Sequence, residues 1–97
     1  MIDLLLVTAP GCRHCDRART VLDRLAAELP LRWREVPMGS EEGRRLVTRW
    51  RAPFPPLLLV REAAGDTLLG YGRLSQRRLM RQLTERRDVD DGQEAAR

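Results

Sequence analysis

Both cysteines of the chain, Cys12 and Cys15, stand three positions apart in Pro10-Gly11-Cys12-Arg13-His14-Cys15-Asp16. The run Leu4-Leu5-Leu6-Val7 before them reads as a strand, and Asp16 to Leu29 after them reads as a helix. On a helix N-terminus this spacing puts one exposed sulfur in the first turn and a second behind it, within disulfide reach. Strand before and helix after is the setting in which C-x-x-C becomes a redox candidate. The thiolate is the reactive form, and an ordinary cysteine, at pKa ~8.5, is mostly protonated at neutral pH. Unpaired N–H groups and the positive end of the helix dipole favour a thiolate at Cys12. Arg13 and His14 add positive or polarisable groups between the two sulfurs. Cys12 is thus expected to be the nucleophile. Cys15, one turn in, is expected to be the more buried, less acidic resolving thiol.

The elements that must hold this pair can be read from periodicity. Residues 2–8 form an apolar run with little alternation, which suits a strand buried on both faces of a central sheet. Pro10-Gly11 breaks the strand and turns the chain. Ala18, Val21, Leu22, Leu25, Ala26 and Leu29 draw one helical stripe. The opposite face carries Arg19/Asp23 and Arg24/Glu28 as expected i,i+4 pairs, and Pro30 stops the helix.

Leu31 to Val36 reads as a second strand, and Ser40 is a good N-cap for a second helix. Glu41 and Glu42 lie in that helix's first turn, with Arg49 and Arg51 near its last, the sign order its dipole prefers. Gly43 weakens it by roughly 1 kcal/mol against alanine. Pro53-Phe54-Pro55-Pro56 leads into a fully apolar strand, Leu57 to Val60. Glu62 to Asp66 is a hairpin loop, and Thr67 to Tyr71 returns as a fourth strand. Ser75 caps a last helix, with Leu74 and Leu79 at the spacing of a hydrophobic staple.

The expected fold class is therefore α/β, in the order β-α-β-α-β-β-α, with a four-stranded mixed sheet and helices on both faces. Residues 1–84 make one domain. Residues 85–97 are expected to be a charged, disordered tail with nothing useful to bury.

At 97 residues the chain holds one small domain and not two. The N-terminal apolar stretch is short, is interrupted by Asp3 and lacks a preceding basic region, so it fits neither a secretory signal nor a membrane span. A cytoplasmic protein is expected, and there two cysteines point to catalysis, redox sensing or metal rather than a structural staple. The net charge is +4, carried entirely by arginines scattered through every element. With four aromatics and no nucleic-acid motif, the balance is against a nucleic-acid partner.

The element order, the Pro10-to-Asp16 segment and Phe54-Pro55-Pro56-Leu57-Leu58-Leu59 together resemble the thioredoxin superfamily, specifically the short bacterial glutaredoxin-like proteins. Gly72-Arg73-Leu74-Ser75, opening the last helix, is also similar. The resemblance covers about residues 2–84. It implies a cis proline facing the disulfide, best matched by the Phe54–Pro55 bond, and substrate binding by Phe54, Pro55 and Gly11. It implies dithiol–disulfide exchange on a protein or low-molecular-weight disulfide, with glutathione or a reductase restoring the dithiol and no tightly bound cofactor.

A stabilised thiolate favours the dithiol, so the pair is expected to be more oxidising than thioredoxin (about −270 mV), at roughly −230 to −150 mV. The pattern also departs from the family's. Leu6 stands where thioredoxins place a buried acid, and only Arg13 or Arg51 offers itself for a glycyl carboxylate.

Two other classes compete. A zinc site wants four ligands, and one chain offers two cysteines and the histidine between them. An iron–sulfur cluster or zinc would have to be shared by two subunits. Asp16 follows Cys15 where c-type haem attachment needs a histidine. A non-catalytic adaptor on the same scaffold is the remaining alternative, and the presence of both cysteines argues against it.

Overall fold

The computed structural model describes the backbone of residues 1–95 and the side chains of residues 1–87. The elements are β1 (Ile2–Thr8), α1 (Arg13–Glu28), β2 (Leu31–Pro37), α2 (Glu41–Trp50), β3 (Leu57–Glu62), β4 (Gly65–Tyr71) and α3 (Gln76–Ala95). The strands lie in the order β2-β1-β3-β4. β1 runs parallel to β2 and antiparallel to β3, and β4 closes the sheet antiparallel to β3. The expected element order and mixed sheet are both present.

The two central strands explain why the run at residues 2–8 shows no wet face. Leu4 and Leu6 of β1, with Leu58 and Val60 of β3, pack on one side against Ala18, Leu22 and Leu25 of α1 and Leu79 and Leu83 of α3. Leu5 and Val7, with Leu57 and Leu59, pack on the other side against Leu46 of α2. Alternate side chains of a strand point to opposite faces, and here both faces are covered. Each leucine so buried contributes roughly 1.5–3 kcal/mol of apolar transfer.

Several boundaries differ from expectation. α1 begins at Arg13 rather than Asp16, because Cys12 itself serves as the N-cap. The β3–β4 loop is only Ala63-Ala64, since Glu62 pairs with Gly65. The i,i+4 pairs expected on α1 do not form: Arg19 turns to Asp16 and Glu35, and Arg24 to Gln76. α3 continues past Thr84 to Ala95, so residues 85–95 are helical where a disordered tail was expected. No proline or β-branched run interrupts that stretch, and Arg86 bonds Glu62 at 2.9 Å. The last two residues of that expected tail lie outside the described residues.

Gly43 is not merely a weak point of α2. A Cβ there would strike the Pro37 carbonyl and come within 2.9 Å of Met38 Cα. α2 is backed directly onto the end of β2, and only glycine permits that approach. The rest of the cap follows expectation, with the Ser40 hydroxyl accepting the Gly43 N–H at 3.0 Å. No helix among the described residues is long and apolar enough to cross a membrane.

Candidate active site

The site forms where β1 hands over to α1. Thr8 ends the strand, and Gly11, at φ +65°, reverses the chain in a conformation that other residues adopt only with strain. Cys12 then takes the N-cap position in extended geometry, φ −99° and ψ 111°. Its sulfur accepts the N–H of Cys15 at 3.1 Å, and its carbonyl accepts the Asp16 N–H at 3.1 Å. N-caps are usually Ser, Thr, Asp or Asn, whose oxygen satisfies an otherwise unpaired amide. Here a sulfur does that work.

Cys12 and Cys15 are joined as a disulfide with their Cα atoms 5.1 Å apart, within the span such bridges require. Cys15 is fully buried and Cys12 half-buried. An incoming sulfur therefore reaches Cys12 first. Arg13 and His14, in the first turn between the two cysteines, are both exposed.

The second wall is built by the segment entering β3. Val7 stands opposite Leu57 in register, so the prolines preceding Leu57 come beside Thr8, at the same end of the sheet as Cys12. The cis peptide bond is Pro55–Pro56, not Phe54–Pro55 as expected. The sequence pattern cannot separate the two, because each is an X-Pro bond one step apart. Pro56 is buried, and its carbonyl accepts the Gly72 N–H at 2.8 Å, tying this loop to the end of β4. Pro55 is half-buried, whereas Phe54 is 63% exposed, an open apolar ring at the rim. The structure thus brings Gly11, Cys12, Cys15 and the Phe54–Pro56 segment to one end of the sheet. Arg51 caps the far end of α2 in the left-handed region, at φ 50°.

Leu6 is fully buried in the core, and no carboxylate among the described residues takes its place. Asp16 is no substitute, since its carboxylate is solvent-facing and bonded to Arg19.

One feature was missed from the sequence. Arg19 of α1 grips Glu35 of β2 with two hydrogen bonds, Nε to Oε1 at 2.7 Å and Nη2 to Oε2 at 2.8 Å. The buried Thr8 hydroxyl donates to the same carboxylate at 2.8 Å, and Arg19 also holds Asp16. The network links the residue after Cys15 to the strand end just before Gly11. The Arg19 fork, then the Thr8 hydroxyl, pull the Glu35 carboxyl down to about 2. Glu35 in turn raises Arg19 above its already high ordinary value. The available signal was an acid in β2 near the buried end of β1, but strand register is needed to see it.

Comparison with known proteins supports the fold. No protein-family model matches the chain, and the search of curated proteins returned no match. Among solved structures, a malarial protein superposes with a TM-score of 0.65 at 16% identity, covering 88% of this chain and 96% of that one. A thioredoxin from Thermus thermophilus gives 0.60 at 20% identity, over 87% of this chain and 72% of its own. Thioredoxin-2, a component of the malaria parasite's protein secretion machinery, gives 0.64 at 17%, over 88% and 82%. The chain has a thioredoxin-like fold.

Proposed function

We propose that this protein is a thiol–disulfide oxidoreductase of the glutaredoxin-like dithiol type, with Cys12 as nucleophile and Cys15 as resolving thiol. The observation that carries the reading is the Cys12 sulfur seated as the N-cap of α1 and bridged to a fully buried Cys15. In the reduced protein a thiolate at this cap would accept a charge-assisted hydrogen bond from the Cys15 amide. It would also gain from the helix dipole.

The exchange runs in two displacements. The Cys12 thiolate attacks one sulfur of a substrate disulfide, forms a mixed disulfide and expels the other sulfur as a thiolate. Cys15 then attacks Cys12 Sγ, its proton passing to the departing thiol. Once the first-expelled thiolate takes a proton from solvent the substrate carries two thiols, and the protein keeps the Cys12–Cys15 disulfide. Two electrons have moved from protein to substrate. Two equivalents of a thiol such as glutathione, or a dithiol reductase, reverse the change and are themselves oxidised. With Leu6 in place of an acid, no carboxylate among the described residues stands behind the pair to assist the second step.

Gly11, Phe54 and Pro55 are the proposed substrate contacts. Pro55 has no N–H and the Pro56 carbonyl is already engaged by Gly72. Strand-like pairing with a substrate backbone is therefore left to the Phe54 N–H and to the carbonyls of Phe54 and Pro55. Arg13 and His14, exposed residues of the turn that follows Cys12, are proposed to favour its thiolate. A reducing, cytoplasmic setting fits such a cycle.

The test is trapping. The Cys15→Ser variant should accumulate a mixed disulfide on Cys12 with its substrate, identifiable by mass spectrometry, and Cys12→Ser should trap nothing. Equal disulfide reduction by wild type and Cys12→Ser would reject the reading.

A further inference from the structure

Helices α1 and α3 cover the same face of the sheet. Beside the start of α3, a groove of about 710 Å³ opens between them. Arg17 and Arg24 line one wall, Arg73 lines the other, and the buried side chains of Val21 and Leu74 lie at its base. No carboxylate among the described residues lines it. Arg17 and Arg73 make no ion pair or side-chain hydrogen bond among the described residues. Arg24 makes only a 3.5 Å bond to the neutral Gln76 side chain. The opposite flank of α1 is different, because there Arg19 is neutralised by Asp16 and Glu35.

The basic row leads to the disulfide. Arg13, Arg17 and Arg24 share one exposed face of α1, at spacings of four and seven residues that return to the same side of a helix. Arg13 is the residue next to Cys12.

We infer that this groove docks an acidic polypeptide segment of the protein whose disulfide Cys12 reduces, an inference that rests on the redox reading above. Three observations select that occupant. The first is charge: unpaired guanidiniums in a groove without acids fit carboxylates, which they can bind in bidentate fashion. The second is length. From Arg13, next to Cys12 and outside the groove's own lining, to Arg24 the helix rises about 16 Å at 1.5 Å per residue, the span a segment covers when it lies in the groove and also reaches the disulfide. An extended chain covers that in about five residues, whereas a tripeptide reaches about 10 Å. The Arg13-to-Arg17 rise, about 6 Å, is close to the spacing of alternate side chains on an extended strand, about 6.6 Å. The third is composition. Single-stranded nucleic acid is held by aromatic platforms as well as positive charge, and no aromatic lines this groove.

Two peptides of eight residues test this, one with glutamates at alternate positions and one with glutamines in their place. Each is made in a cysteine-free fluorescent form and in a form carrying a mixed disulfide. The acidic peptide should bind at least tenfold more tightly than the neutral one and be reduced at least tenfold faster at low salt, with both preferences lost in 0.5 M salt on the order of a few-ångström screening length. Arg17→Glu, Arg24→Glu and Arg73→Glu should each reduce the preference several-fold while leaving reduction of a small neutral disulfide unchanged.

Equal handling of the two peptides by wild type, with exchange intact, overturns the docking proposal and leaves the redox reading standing. Selective binding without any exchange sinks the redox reading instead. Two further results overturn the docking proposal: a single-stranded oligonucleotide that outcompetes the acidic peptide, or glutathione that competes as well as the eight-residue chain does.

Discussion

Arg19 and Glu35 face each other as a fork on a carboxylate, with both hydrogen bonds under 3 Å, and so bind the helix that carries the disulfide to the edge strand of the sheet. Thr8 adds a third bond to the same carboxylate from the last residue of β1. Three elements that meet at the site are therefore fastened by one acid.

This arrangement predicts a pH-dependent stability. The Glu35 carboxyl lies at about 2 in the folded protein against an ordinary 4.5. Its contribution is fully present above the ordinary value and is lost as pH falls from there through about 2. About a third of each side chain remains exposed, so solvent screening limits the pair to about 1 kcal/mol. Thermal unfolding of wild type and Glu35→Gln should thus differ by about that amount at pH 7, with the gap closing toward pH 2. A gap constant across that window would show that the ion pair contributes nothing.

The N-cap geometry predicts an acidic thiol. In the reduced protein Cys12 should titrate below the ordinary ~8.5, as read from the rise of thiolate absorbance with pH in the Cys15→Ser variant. The same stabilisation should put the dithiol–disulfide couple at roughly −230 to −150 mV. Equilibration against glutathione measures it, and a potential below thioredoxin's would contradict the role given to Arg13 and His14.

Gly43→Ala should destabilise the protein even though alanine is the better helix former by ~1 kcal/mol. The added methyl meets the backbone of Pro37 and Met38, which cannot rotate away. Overpacking of this kind costs about 1–3 kcal/mol, and denaturant unfolding would reveal it as a lower midpoint. A stabilised variant would mean that α2 shifts freely on β2.

Leu6→Ala tests the central strand. Leu6 is fully buried against the α1 and α3 side chains, and truncation of such a residue costs about 2–5 kcal/mol. Urea titration should show that loss. A cost below 1 kcal/mol would argue that the core relaxes around the gap.

Much of this molecule was legible in its residues. Cys12 and Cys15 between an apolar run and an amphipathic stripe specified a strand, a turn and a helix N-terminus, because hydrophobic period, Pro-Gly turns and capping residues act over a few neighbours. The apolar run of β1 pointed to a strand buried on both faces and Leu57 to Val60 to a fully apolar strand, and Ser40 and Ser75 announced helix starts. Folding alone decided what depends on residues far apart in the chain. Glu35 meets Arg19 and Thr8 only through strand register, Gly43 is required only because α2 lies against the end of β2, and the cis bond falls at Pro56 rather than Pro55. The groove between α1 and α3 belongs to the same group, since its arginines come from two segments some fifty residues apart. Local pattern carries no record of such contacts, because each is made by packing that brings together side chains with no periodic relation.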